Sequence, residues 1–278
     1  MKVRGVSLMM KNLRISLAQI NTIVGDLKGN SKKIISFIEE AKDRSADIVV
    51  FPELCLSGYP PEDLLLKPHF IKENEIELNR IIRASKSILS IVGLPYLEKG
   101  SLFNAAAMIY NGRLVDVYKK IFLPNYGVFD EKRYFSHGES CNVVEFGGKL
   151  RIGVNICEDI WHADGPQRIQ ALLGGAKVII NISASPYHAN KIEEREGELR
   201  KRANENQAYI FYCNSVGGQD ELVFDGGSLV FDDKGKLLAR AKQFAEDLIS
   251  VDLNLEDLNG LSYQRRRSAV ACQFQASK

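Results

Sequence analysis

The stretch Ala105-Ala106-Ala107-Met108-Ile109-Tyr110-Asn111-Gly112-Arg113-Leu114-Val115-Asp116-Val117-Tyr118 reads as two strands that double back on each other. Asn-Gly supplies the positive φ angles of a type I′ turn, and the flanking apolar runs have ordinary strand length. Such a pair is antiparallel, which argues against an all-parallel doubly wound sheet. A second hairpin is expected to turn at Asp232-Asp233-Lys234-Gly235. Outward from these, short apolar runs at 13–18, 47–51, 88–94, 105–110, 114–118, 142–146, 150–156, 177–182, 208–214, 227–231 and 248–253 make about eleven candidate strands. Residues 30–44 place Ile34, Ile35, Phe37, Ile38 and Ala41 on one helical face, and residues 191–206 carry a narrower stripe of Ile192, Leu199 and Ala203 among charges. Strands interleaved with half-buried helices in one region and closely spaced in another predict an α/β fold of mixed sheets with helices outside.

Composition sets the outer bounds. The chain has 278 residues, 45% hydrophobic and 26% charged, with 37 Lys plus Arg against 35 Asp plus Glu. The formal charge of +2 offers no basic excess for a nucleic-acid partner. No window approaches the roughly 18 apolar residues of a membrane span. At the N-terminus, Lys11 and Arg14 interrupt a short apolar stretch before it reaches signal-peptide length. A cytoplasmic protein is expected, with residues 1–10 as a poorly ordered leader and Met10 as an alternative start. No linker, repeat or low-complexity tract divides the chain, so residues 1–278 read as a single domain. The five cysteines are odd in number and lack CxxC spacing, and the four histidines include no HxxxH pair; neither a disulfide framework nor a metal is expected.

Three segments can carry chemistry. In Gly153-Val154-Asn155-Ile156-Cys157-Glu158-Asp159-Ile160-Trp161 an apolar strand ends in a thiol followed by two acids. That places a nucleophile beside a backbone N–H able to face an oxyanion, although a small core residue can end a strand in the same way. Two neighbouring acids alone would raise the thiol pKa, so a cation or base must come from elsewhere. In Phe51-Pro52-Glu53-Leu54-Cys55, Glu53 follows an apolar strand. It is either a desolvated general base or a loop acid capping the next helix, and Cys55 is a competing thiol. In Tyr118-Lys119-Lys120-Ile121-Phe122-Leu123-Pro124 the period of two turns one lysine inward and the other outward.

Phe-Pro-Glu, Tyr-x-Lys-x-x-Leu-Pro and Cys-Glu-Asp, in this order and spacing, resemble the nitrilase superfamily of carbon-nitrogen hydrolases over nearly the whole chain. The resemblance implies a four-layer α-β-β-α sandwich and a Glu-Lys-Cys triad. Glu53 would be general base and acid, Lys120 the oxyanion stabiliser and Cys157 the nucleophile, with Lys119 a flanking residue. Glu131 would be an auxiliary acid orienting Lys120, or else a surface ion-pair partner. Residues 52–65, 123–135 and 216–226 further resemble the glutaminase domains of glutamine-dependent NAD+ synthetases. That implies glutamine as substrate, with Tyr126, Phe129, Glu158, Trp161 and Ser185 forming its pocket. Ammonia would pass to a synthetase domain, in cis or in trans, that amidates deamido-NAD+ with ATP.

The Ser-Gly-Gly-x-Asp-Ser loop that would hold ATP has no match here; Ser215-Val216-Gly217-Gly218-Gln219-Asp220-Glu221 is only a near-miss. The expectation is an excised or stand-alone amidase domain that binds no cofactor itself, ATP and Mg belonging to the synthetase domain. Homo-oligomers are expected from the same resemblance, and Arg265-Arg266-Arg267 is read as a solvated or domain-facing run. The rival readings are a free-standing ω-amidase or N-carbamoyl amidohydrolase, distinguished by indifference to a synthetase partner, and a catalytically silent assembly module, distinguished by failure to form a thioester. A nitrile substrate fits less well, since it would leave polar pocket groups unpaired.

Overall fold

The structure, a computed structural model, describes residues 12–147 and 150–259. The proposed leader 1–10, Cys272 and the arginine run 265–267 lie outside the described residues.

Two six-stranded mixed sheets stand face to face. The first is ordered β14-β1-β2-β3-β4-β5. It contains β1 (Asn12–Gln19), β2 (Ile48–Val50), β3 (Leu89–Glu98), β4 (Ser101–Tyr110), β5 (Arg113–Lys119) and β14 (Asp247–Asn254). The second is ordered β13-β12-β9-β8-β7-β6. Its members are β6 (Val143–Phe146), β7 (Leu150–Ile156), β8 (Val178–Ser183), β9 (Tyr209–Asn214), β12 (Leu229–Phe231) and β13 (Leu237–Arg240). Each sheet has three parallel strands at its centre, β1-β2-β3 and β7-β8-β9, flanked by antiparallel neighbours. A separate hairpin pairs β10 (Val216–Gln219) with β11 (Leu222–Asp225).

The layers follow from strand alternation. Leu13, Ile15, Leu17, Ile48, Val50 and Ile91 meet Ile152, Val154, Val178, Ile180 and Phe211 between the sheets. Intervening residues such as Ala18, Val49, Phe51 and Val92 face outward under α1 (Leu27–Asp43) and α2 (Pro68–Ala84), through Ile34, Ile38, Leu78 and Ile81. On the far side, Ile179, Ile210, Tyr212 and Phe231 pack on α3 (Pro166–Leu172) and α4 (Lys191–Asn206), through Ala171, Leu199 and Ala203. This is the four-layer α-β-β-α sandwich. Central strands buried on both faces explain why their sequences read as continuous apolar runs.

Both expected hairpins are present. Asn111 and Gly112 take φ of 49° and 70° between β4 and β5, and β12 pairs with β13 around 232–235. The eleven candidate strands all exist; β10, β11 and β13 are additional. The Ser215–Glu221 near-miss belongs to the β10–β11 hairpin, where Gly217 takes φ +127° and a Cβ there would lie 2.2 Å from Asn21 Oδ1. On α4 the charges are not all solvated. Arg195 and Asp225 form a fully buried pair at 2.9 Å, tying the helix to the end of the hairpin. Breaking such a pair from one side costs about 3–5 kcal/mol, so it pins β11 as firmly as several apolar contacts would.

Candidate active site

Glu53, Lys120 and Cys157 all sit where chain leaves a strand. Residues 52–56 drape over β3 at Gly93, whose missing side chain makes the approach possible: a Cβ there would stand 2.3 Å from Pro52 O and 2.5 Å from Leu54 N. Glu53 is thereby held with no solvent exposure. One carboxylate oxygen accepts from Lys120 Nζ and Asn104 Nδ2, both at 2.7 Å, and the other accepts from the Ala184 amide at 2.9 Å.

Lys120 follows β5 directly and is 1% exposed. Its ammonium also donates to Glu131 Oε1 at 2.7 Å. Burial pulls the Lys120 pKa down, but the charges of Glu131 and Glu53 outweigh it and hold the ammonium well above its ordinary range. Lys119 points the other way and pairs with Glu98 at 2.5 Å on the surface side. The inward lysine is therefore Lys120.

Glu131 lies in a 3-10 turn (Glu131–Arg133) and is buried, so the reading of it as a surface ion-pair partner is set aside. Besides Lys120 it accepts from Tyr59 OH and from Asn104 Nδ2, each at 3.3 Å. Burial lifts its carboxyl to about 7 even though Lys120 acts in the opposite sense.

Cys157 opens a 3-10 turn (Cys157–Ile160) at the end of β7, with φ +43°. A left-handed non-glycine residue is strained by about 1–3 kcal/mol, a cost that the turn's hydrogen bonds and packing must offset. Burial first, then the negative charge of Glu53, pushes the thiol well above its usual pKa, while Lys120 opposes them. Burial therefore favours the neutral thiol over the thiolate. The competing Cys55 donates to Gly93 O at 3.4 Å, lies in the core beneath the helices and is pushed up to about 12 by burial.

Of the five residues expected to form a glutamine pocket, three are brought together by direct contact. Tyr126, 58% exposed, donates to Glu158 Oε2 at 2.9 Å, and its ring meets Phe129 edge-on at 5.5 Å. The Glu158 carboxylate also lies 3.4 Å from His162 Nε2. Ser185 follows Ala184, the residue bonded to Glu53, and its own amide donates to Asn214 Oδ1 at 2.9 Å. Trp161 is placed differently, against the helices covering the second sheet, with the Lys191 ammonium 4.7 Å from its ring centroid.

Asn104 and Asp159 were not foreseen as site residues. Asn104 bridges the two buried acids through one Nδ2, and its backbone carbonyl accepts from the Lys120 amide at 2.8 Å. Asp159 is fully buried and takes hydrogen bonds from both sheets. An asparagine inside the run Asn104–Ala107 was the available signal, since a polar group in a buried strand needs partners. Among the described residues, no group of His, Cys, Asp and Glu is arranged to hold a metal ion, and no helix is long and apolar enough to cross a membrane.

Comparison with known proteins agrees with this arrangement. The chain is 51% identical over 245 residues to the glutamine-dependent NAD(+) synthetase of Aquifex aeolicus, covering 87% of this chain and 42% of that protein. The Thermotoga maritima synthetase is 46% identical, over 89% of this chain and 43% of its own. The chain therefore spans less than half the length of these relatives. Among solved structures, the glutamine-dependent NAD+ synthetase of Acinetobacter baumannii with ADP superposes with a TM-score of 0.85 at 34% identity, covering 94% of this chain and 49% of that one. An amidase mutant from Nesterenkonia sp. AN1, of the nitrilase fold, superposes at 0.77 with 26% identity and matches over 94% and 95% of the two chains. That structure carries the acetamide moiety of fluoroacetamide covalently at its active-site cysteine. The family model for carbon-nitrogen hydrolases matches residues 14–263, from the first strand through all three strand-end segments. With its sandwich, its buried acid–lysine pair and its strand-end thiol, the chain belongs to the carbon-nitrogen hydrolase family.

Proposed function

We propose that this chain hydrolyses the side-chain amide of glutamine through a Cys157 thioester and supplies the ammonia to a synthetase portion that amidates deamido-NAD+. The observation that carries the chemical part is the buried Glu53–Lys120–Glu131 cluster, whose charges act directly on the Cys157 thiol. The likeness to NAD+ synthetases over less than half their length supports the division of labour.

A neutral thiol needs a base at the moment of attack. Glu53 accepts the Sγ proton as sulfur adds to the amide carbon, and the carbonyl electron pair moves to oxygen. Lys120 and the N–H after Cys157 stabilise that oxyanion. Collapse expels ammonia, which takes the proton from Glu53 and leaves the thioester. Water then loses a proton to Glu53 while its oxygen adds to the acyl carbon; collapse releases glutamate, and the proton returns to sulfur. Glu131 and Asn104 hold Lys120 and Glu53 in place. In the pocket, Glu158 suits an α-ammonium, and Tyr126 and Phe129 cover the methylenes beside Ser185, while Trp161 stands apart against the helices of the second sheet. ATP and Mg serve the synthetase portion and take no part in these steps.

The deciding assay is ammonia release from glutamine with and without the synthetase portion of a close relative added in trans. The chain alone should be slow, because a site built to feed a partner closes fully only when the partner is docked. Addition should raise the rate and channel ammonia into NAD+. Equal rates with and without the partner, and equal rates on simple ω-amides, would favour the free-standing amidase.

The pH profile tests the cluster. Because the Glu131 pKa is raised to about 7, the carboxyl gains a proton as pH falls through that value and Lys120 loses one of its two charge partners. The coupled cluster should therefore give kcat/KM that is level above pH 7 and falls below it toward the activity of the form with Glu131 neutral. Glu131→Gln, permanently neutral, should lie about 10- to 100-fold lower and lose that acid limb. An unchanged limb in the variant would assign the titration to another group.

A further inference from the structure

A single carboxylate joins the two sheets beside the reacting groups. Asp159 is buried in the turn after Cys157. Its Oδ2 accepts from the Ile156 amide at 3.0 Å and from Tyr118 OH at 2.8 Å. Its Oδ1 accepts from the amides of Phe122 at 2.9 Å and Ile121 at 3.2 Å. These donors are placed with consequence. Ile156 immediately precedes Cys157 on the second sheet, whereas Tyr118 and Ile121–Phe122 bracket Lys120 at the end of β5 in the first.

We propose that Asp159 is a positioning residue, whose carboxylate sets Lys120 of one sheet against Cys157 of the other. The inference rests on the Glu53–Lys120–Cys157 assignment above. A turn that only needed capping would use the Ile156 bond, which lies within the same loop. The bonds to 118, 121 and 122 cross to the other sheet and do nothing for that turn. Lys120 lies at the end of β5, which among the described residues is an edge strand paired within its sheet only with β4. Packing between sheets is non-directional and tolerates sliding, whereas hydrogen bonds to a fixed carboxylate do not. Displacement by about 1 Å at a reacting centre can cost about 100-fold in rate.

Asp159→Asn keeps the shape but turns an NH2 group toward donors that need an acceptor. The probe is 6-diazo-5-oxo-L-norleucine, a glutamine analogue whose diazo carbon alkylates a thiol with loss of N2, followed by mass spectrometry of the Cys157 peptide. Asp159→Asn should lower the limiting alkylation rate about 100-fold while leaving the half-saturating concentration within about twofold, with near-UV circular dichroism unchanged. Tyr118→Phe, which removes one donor of the set, should show a smaller loss in the same rate. Combining the two should be no worse than Asp159→Asn alone, because both act through one contact. If Asp159→Asn fails to fold, the rate loss in Tyr118→Phe carries the test alone.

A folded Asp159→Asn protein alkylated at the wild-type rate, a loss confined to half-saturation, or an unaffected Tyr118→Phe overturns the proposal and leaves the triad standing. Wild-type protein alkylated at another thiol, or at none, overturns both.

Discussion

Cys157→Ala is expected to reduce glutamine hydrolysis to background, a loss on the order of a millionfold, because without sulfur the remaining groups can bind the amide but form no acyl intermediate. The same chemistry gives a positive signature. Wild-type protein quenched during turnover should carry a glutamyl adduct on the Cys157 peptide, and Cys157→Ala should carry none. An adduct on Cys55 would overturn the assignment, against the burial of that thiol in the helix-facing core and its raised pKa.

Glu53→Gln should cost roughly 100- to 10,000-fold in kcat while the fold survives. The amide oxygen can keep the bonds from Lys120 and Asn104, but its NH2 then faces the Ala184 amide, and one buried donor is left unpaired at about 1–3 kcal/mol. The protein should therefore unfold at a moderately lower temperature, yet it has no group to carry the proton between sulfur and the leaving nitrogen. Lysine variants check the same cluster from its other side. Lys120→Ala leaves Glu53 and Glu131 facing each other without a cation and should be inactive, while Lys119→Ala removes an ion pair with Glu98 and a contact with the Phe103 ring, both away from the buried acids. Inactivity of Lys119→Ala with Lys120→Ala still active would mean that the strand had been read one residue out of register.

Much of this was legible in the chain because it lies in contiguous strings. The Asn111-Gly112 turn announces its hairpin, and the three strand-end segments announce Glu53, Lys120 and Cys157. Other parts depend on distant residues. The stripe of α2 is interrupted by buried Asn74 and Glu77; Asn74 Nδ2 donates to Pro95 O at 2.8 Å and Glu77 pairs with Arg80 at 3.0 Å. Nothing local says that those polar positions face inward, so the helix does not stand out. The β10–β11 hairpin is short and glycine-containing, and it is secured by a tether to α4 through Arg195, 30 residues away from Asp225. Asn104 and Asp159 escape for the same reason: their partners lie 51 and 41 residues off, at Glu53 and Tyr118. Strand periodicity predicts which face a residue takes, not which polar group awaits it there.

The bare backbone at Gly93 has a practical meaning for anyone redesigning the substrate range of this enzyme. The acid's loop rests on main chain at this point, so any side chain added there bears directly on its placement. A methyl group at position 93 would meet the backbone of Pro52 and Leu54 and force the loop that carries Glu53 to shift. Variation is best spent on the rim at Tyr126 and Phe129, where the rings stand partly in solvent and the catalytic geometry is not at stake. The glycine, which takes no part in the chemistry, is a position that a library should leave untouched.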